Sequence, residues 1–172
     1  MRSTRYYDAN AKSLSEYYNS LAVDSIHRSW LKGHLPENPG IACDIGAGSG
    51  RDANWLAARG WDVIAVEPSN EMRQAAQKQA HPNVTWLDDS LPDLSKLRLL
   101  GHRFDLVLLM YPDIVWEFDP LRENKYDRYE LFESYEKELK KLDWPYEIVS
   151  GLDNSREQKA RKLVQDYRND LN

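Results

Sequence analysis

The sequence predicts an α/β protein with a mainly parallel sheet. Three observations carry this reading. The run Ile41-Ala42-Cys43-Asp44-Ile45 reads as a buried strand that breaks into Gly46-Ala47-Gly48-Ser49-Gly50, and helical residues follow from Arg51 to Arg59. A second apolar run, Asp62 to Val66, delivers Glu67 about 20 residues after the loop, the spacing at which an acid reaches a ribose diol. A later run, Phe104 to Met110, is apolar enough to be buried on both faces, as parallel strands are. Glycine loop, helix and acid-tipped strand together form one ligand-binding βαβ unit.

The remaining elements follow in order. Residues Tyr7 to Leu35 read as a helical lead-in, with helix formers over Ala9 to Tyr18 and a stripe at Leu21, Ile26, Trp30 and Leu31. Gly33 and the Pro36 to Gly40 turn stop it. After the loop, Ala53, Leu56, Ala57 and Ala58 offer a small apolar face to the sheet, and Gly60 ends that helix. Ser69 is placed to cap a helix reaching about Ala80, and His81 is a turn residue. Val84 to Leu87 is the third strand, ending in Asp88-Asp89-Ser90; Leu94 to Leu100 is a short helix, and Phe104 to Met110 is strand four. Tyr126 to Leu142 is amphipathic, with Leu131, Tyr135, Leu139 and Leu142 recurring on one face. Pro145 to Gly151 is a short strand, and Ser155 to Tyr167 is a last helix carrying Ala160, Leu163, Val164 and Tyr167 on one side.

The chain of 172 residues suits one domain with a real core. A hydrophobic share of 41% and a charged share of 30% fit a globular protein, and mean hydropathy of −0.74 gives it a polar surface. Net charge of −5 argues against a general nucleic-acid footprint. The single cysteine, Cys43, permits no intramolecular disulfide and is expected to be buried in the first strand. With no apolar leader at the start and no stretch of membrane-spanning length, the expected compartment is the reducing cytoplasm.

Spacing decides which ligand suits the loop. In the dinucleotide fingerprint the last small position would fall on Arg51. The loop is instead G-x-G-x-G behind Asp44, whose carboxylate can meet a cationic group and would repel a pyrophosphate. No Gly-Lys-Ser/Thr occurs, so the phosphate-cradling loop of the P-loop proteins is absent. In Asp44-Ile45-Gly46-Ala47-Gly48-Ser49-Gly50 and Glu67-Pro68-Ser69 the chain resembles the class I S-adenosylmethionine-dependent methyltransferases, matching their first two motifs in content and separation. The resemblance covers residues 1–110. It implies a Rossmann-like three-layer αβα sandwich and S-adenosyl-L-methionine as cofactor. Asp44 and Gly46, Ala47, Gly48 and Gly50 would hold the amino-acid end, Glu67 with Pro68 the ribose, and Asp88, Asp89 and Ser90 the adenine. Met72 and Met110 are the further cofactor contacts. Tyr7 would touch the cofactor from the lead-in helix, or else only packs. Asp88 and Asp89 have an alternative reading as solvated turn carboxylates. No metal is expected, because neither a histidine nor a third carboxylate lies at ligand spacing from them.

From Tyr111 onward the methyltransferase pattern changes. Residues Trp116 to Glu123 and Pro145 to Gly151 resemble the lid and last strand of P-loop kinases related to nicotinamide riboside kinase, with Arg122 at the lid arginine. The expected whole is a single domain over 1–172. Its sheet has five strands in the order 3-2-1-4-5, completed by the tail 111–172, and lacks the usual C-terminal hairpin of the methyltransferases.

Methyl transfer displaces a leaving group from an already activated sulfonium, so proximity and orientation carry most of the catalysis. A cofactor site can therefore be legible where catalytic residues are not, and none is assigned. Asp113 is the nearest candidate base, with a structural acid as the alternative. The methyl acceptor and the oligomeric state are left open. A non-catalytic cofactor-binding or interaction module is the competing reading, and phosphotransfer, resting on the tail alone, a third.

Overall fold

In the computed structural model, residues 2–23, 38–101, 104–116 and 126–170 are described. They fall into two compact units, the first holding 2–23 and 38–101 and the second 104–116 and 126–170. Among the described residues, no helix is long and apolar enough to cross a membrane.

The first unit contains α1 (Arg2–Ser20), β1 (Ile41–Ile45), α2 (Arg51–Ala57), β2 (Asp62–Val66), α3 (Asn70–Gln77), β3 (Val84–Leu87) and α4 (Ser95–Leu99). Its sheet is parallel in the order β1-β2-β3, with Cys43 opposite Ile64 and Ile64 opposite Thr85. The central strand β2 is buried from Val63 to Val66. Side chains alternate across a strand, so Val63 and Ala65 point to one face and Ile64 and Val66 to the other. On the first face Ala53 and Ala57 of α2 close over Val63, Ala65 and Val84, with Trp61 and Trp86 packed around them. Alanines on α2 let helix and sheet backbones approach. Each fully buried valine contributes about 1.5–3 kcal/mol.

Ser69 caps α3 as expected, its hydroxyl accepting from the Met72 N–H at 3.2 Å, an arrangement worth about 1 kcal/mol. Helix α1 packs against α3 through Ala11 and Ser15, both buried, and the Ser15 hydroxyl lies 3.7 Å from Met72 Sδ. It starts at Arg2 rather than Tyr7 and ends at Ser20. Of the expected lead-in stripe only Leu21 is described, half-buried; Ile26, Trp30, Leu31 and Gly33 lie outside the described residues.

The second unit holds β4 (Val107–Met110), α5 (Arg128–Leu142), β5 (Tyr146–Val149) and α6 (Asp153–Asp170). Strands β4 and β5 pair in parallel, Val107 opposite Tyr146 and Met110 opposite Val149. Parallel neighbours need a long crossover, and α5 lies within it. Leu109, Leu139, Trp144 and Val149 are buried, and Phe104 meets Trp144 edge-on with ring centroids 4.9 Å apart. The expected tail strand beside strand four is thus present.

All strand pairs are parallel, as an α/β reading requires. Pairing among the described residues gives a three-stranded and a two-stranded sheet rather than one sheet of five. Within them the neighbours 3-2-1 and 4-5 are the expected ones. Arg122 and most of the lid-like run, from Glu117 to Glu123, lie outside the described residues.

Candidate cofactor site

The site is built at the carboxyl end of β1 and β2. Past Ile45 the chain turns over the end of β2, with the Gly46 and Ala47 N–H groups both donating to the Val66 carbonyl, at 2.8 and 3.0 Å. The Gly50 N–H donates back to the Ala47 carbonyl at 2.8 Å, and the Gly48 N–H donates to Glu67 Oε2 at 2.9 Å. Four loop N–H groups are thus spent inside the protein. The reason is geometric: positive φ at Gly46, Gly48 and Gly50 curls the loop so that its donors face β2 and Glu67. At Gly50 a side chain is also excluded by crowding, since a Cβ would stand 2.7 Å from the Trp86 ring.

Glu67 follows β2 directly and is buried, at 6% exposure. Its carboxylate takes the Gly48 N–H on Oε2 and the Ser69 N–H, at 2.8 Å, on Oε1. Burial pushes its pKa up, opposed by those two N–H groups and by the Arg73 guanidinium, while Asp8 adds a smaller upward push. Arg73 donates to the Glu67 carbonyl at 2.5 Å and bonds Asp88 at 3.0 Å.

A cavity of about 580 Å³ opens over this corner. It brings together Tyr7, Gly46, Ala47, Gly48, Glu67 and Pro68 of the expected site residues. Asp44, Gly50 and Met72 stand behind the wall: Asp44 is half-buried on β1, Gly50 abuts Trp86, and Met72 Cε lies 3.8 Å from where a Gly48 Cβ would stand. Met110 belongs to the second unit, where its side chain is exposed.

Asp88, Asp89 and Ser90 do not line the cavity. Asp88 is ion-paired with Arg73 at 3.0 Å and with Lys96 at 3.1 Å. Asp89 is buried, and its carboxylate accepts the N–H groups of Ser90, Lys96 and Leu97 at 2.8 to 3.0 Å. It therefore caps α4, whose own N-cap residue, Leu94, has no side-chain acceptor to offer.

The cavity wall also holds residues the sequence reading passed over: Thr4, Tyr17, Tyr18 and Leu21 from the α1 end of the chain, and Ser49, Arg51 and Asp52 after the loop. A helical signal existed for the first group, because Tyr7 and Tyr18 are eleven residues apart in sequence, three turns along one helix face. Arg51 clasps Asp52 through Nε and Nη2, at 3.0 and 2.7 Å. Around this corner Asp44 and Asp52 act on Arg51, and Arg73 acts on Glu67.

In the second unit Asp113 is committed. Its carboxylate accepts the Gly151 N–H at 2.7 Å and is ion-paired with Arg156, which also donates to the carbonyls of Tyr111, at 2.5 Å, and Gly151, at 2.9 Å. The Gly151 N–H, followed by Arg156, holds the Asp113 pKa below the ordinary value. It ties the ends of β4 and β5 together, the alternative that the sequence left open.

The comparisons with known proteins bear on this corner. Residues 42–125 match the family model described as a methyltransferase domain. That stretch runs from β1 through the glycine loop, Glu67 and β4, and past Tyr111, where the resemblance was expected to end. Among solved structures, the chain is similar to a protein of Anabaena variabilis described as a methyltransferase from an antibiotic biosynthesis pathway (35% identity, 51% of this chain and 32% of that one, TM-score 0.34). It is also similar to a protein of Listeria monocytogenes described as an S-adenosylmethionine-dependent methyltransferase (24% identity, 46% and 38%, TM-score 0.34). The DhpI–SAM–HEP complex is a third (21% identity, 92% and 68%, TM-score 0.49). The chain spans about a third of the length of the first two. All three superpose loosely, so the family match is the comparison with weight. No curated protein matches the chain. The kinase-like reading of 111–172 finds no support in these comparisons.

Proposed function

We propose that the chain binds S-adenosyl-L-methionine at this corner and transfers its methyl group to an acceptor yet to be identified. The observation that carries the reading is Glu67, held on the cavity wall by the Gly48 and Ser69 N–H groups. Each carboxylate oxygen takes one of them, and an ionised carboxylate offers about four acceptor sites, so both oxygens can still receive a ribose hydroxyl. At Gly46 a Cβ would meet nothing within 4 Å, so the chain leaves open space for the ligand there. When bound, the cofactor supplies an activated methyl group on a cationic sulfur. The chain's part is to hold it: Glu67 at the ribose, Gly46 to Gly48 beneath, Tyr7 from α1, and Asp44 and Asp52 lending negative charge. The adenine is assigned to the Asp88 to Ser90 end of β3, with Asp88 the acid there that is not spent on capping. The reading includes the single-domain arrangement, in which strands in the order 3-2-1-4-5 make one sheet.

A second reading, a cofactor-binding module without catalysis, is favoured by the commitment of Asp113 to Arg156 and Gly151. Calorimetric titration with S-adenosylmethionine, S-adenosylhomocysteine and ATP tests the proposal. Saturable binding of the adenosyl ligands without ATP is expected. ATP binding with no response to either adenosyl ligand would sink it. Transfer of label from methyl-labelled S-adenosylmethionine to small-molecule or protein acceptors then separates enzyme from module.

A further inference from the structure

Helix α1 contributes to the cavity wall from Thr4, Tyr7, Tyr17 and Tyr18, and Leu21 adds to it just past the helix end. Ala11 and Ser15, four residues after Tyr7 and three before Tyr18, lie on the adjoining part of the same side of the helix and are buried where it meets α3. Beside the Ser15–Met72 contact, Asp8 adds directed hydrogen bonds to this seam. Asp8, one residue after Tyr7, accepts the Ser69 hydroxyl at 2.6 Å and the Glu71 N–H at 3.3 Å, both on the same oxygen, Oδ1. Ser69 is the cap of α3, and its own N–H donates to Glu67 Oε1. A continuous hydrogen-bonded path therefore runs from Asp8 through Ser69 to Glu67, and from Glu67 Oε2 to the Gly48 N–H of the loop.

We propose that Asp8 is a positioning residue: it latches α1 onto the β2–α3 turn through Ser69, and so sets both the tyrosine wall of the cavity and the Glu67 carboxylate. The contact is suited to this. Ala11 and Ser15 are small, and the Ser15 hydroxyl meets only the thioether sulfur of Met72, a weak acceptor, at 3.7 Å. The short, directional bond from the Ser69 hydroxyl to Asp8 Oδ1 is what fixes the register. Asp8 also takes the Glu71 N–H in the first turn of α3, a helix end that favours a carboxylate. Asp8 does not line the cavity, so its effect on a ligand passes through Tyr7, Ser69 and Glu67.

The ligand side of this inference rests on the cofactor reading above; the latch itself does not. Two measurements on the full chain separate them. Amide hydrogen exchange over residues 2–20 without ligand reads the latch. In Asp8→Ala it should accelerate about tenfold, with the β1-β2-β3 sheet unchanged. Asp8→Asn keeps an oxygen for both donors and should exchange nearly as the parent does. Titration with S-adenosylhomocysteine reads positioning. Asp8→Ala should weaken binding about tenfold, Asp8→Asn about threefold or less, and the Asp8→Ala, Ser69→Ala double variant hardly more than the worse single one. Unchanged exchange in Asp8→Ala overturns the latch. Faster exchange with unchanged affinity overturns the positioning role. Should the parent chain bind no adenosyl ligand, the cofactor reading falls, and exchange over 2–20 alone decides the latch.

Discussion

Glu67→Ala is the perturbation that the structure makes most informative, because it strikes the loop as well as the ligand. It removes the acceptor of two N–H groups, Gly48 at 2.9 Å and Ser69 at 2.8 Å. An orphaned buried donor costs about 1–3 kcal/mol, so two cost about 2–6 kcal/mol. Relief of a buried carboxylate, whose pKa burial has pushed up, works the other way and favours the lower end, about 2–3 kcal/mol. The sequence reading assigned Glu67 to the ribose alone; the structure gives it these two donors as well. Urea unfolding followed by tryptophan fluorescence and circular dichroism measures the loss. Calorimetry with S-adenosylhomocysteine should show affinity lower by one to two orders of magnitude, the scale of hydrogen bonds to a charged group. The pH dependence has a definite sign. A carboxyl raised above its unfolded value, ordinarily 4.5, contributes stability that is full below that value and is lost as pH rises through the folded one. Ligand affinity runs oppositely, since the ribose is held by the ionised form, and it should begin to fall while the pH is still above 4.5. Glu67→Gln should lack that fall. An alanine variant with the parent's unfolding midpoint and dissociation constant would refute the whole argument.

Three further outcomes are expected. Gly50→Ala should destabilise by about 2–4 kcal/mol, from left-handed strain plus overpacking against the Trp86 ring, whereas Gly46→Ala should cost only the strain, about 1–2 kcal/mol; equal denaturation midpoints for the two would contradict the packing account. Cys43, pushed up to about 12 by burial and by Asp44, should resist thiol labelling at pH 8 in the folded chain and react once urea unfolds it; rapid native labelling would count against it. Asp113, held below its ordinary 3.8, contributes stability present above that value and lost as pH falls through the folded one, so Asp113→Asn should remove part of the parent's sensitivity to strong acid. Superimposable acid limbs in unfolding scans would show the Arg156 pair to be idle.

Elements set by short-range chemistry were legible from residue order. Asp62 to Val66 read as a strand, Ser69 carries its capping oxygen to Met72 three residues on, and the glycines mark where the backbone turns. The burial expected of Ile41 to Ile45 and Phe104 to Met110 falls instead on Val63 to Val66, with Ile41, Ile45 and Met110 exposed. The parallel partner of β4 was readable too, because the short strand within Pro145 to Gly151 follows a helix long enough to make the crossover. Glu67 was found by its separation from the loop, a property of the covalent chain.

What escaped the sequence were contacts between residues far apart along the chain. Asp88 and Asp89 are neighbours of the same type, yet one lies between Arg73 and Lys96 and the other is sealed under α4 as its cap. The difference arises because side chains on successive residues near a strand end point in different directions, and only the packed neighbours decide what each one meets. Likewise the order of residues shows a serine after Glu67-Pro68 and an aspartate in the lead-in helix, 61 positions apart, but not that they share a hydrogen bond of 2.6 Å. Local propensity makes α1 and α3; burial of Ala11 and Ser15 brings them together, and only then can Asp8 reach Ser69.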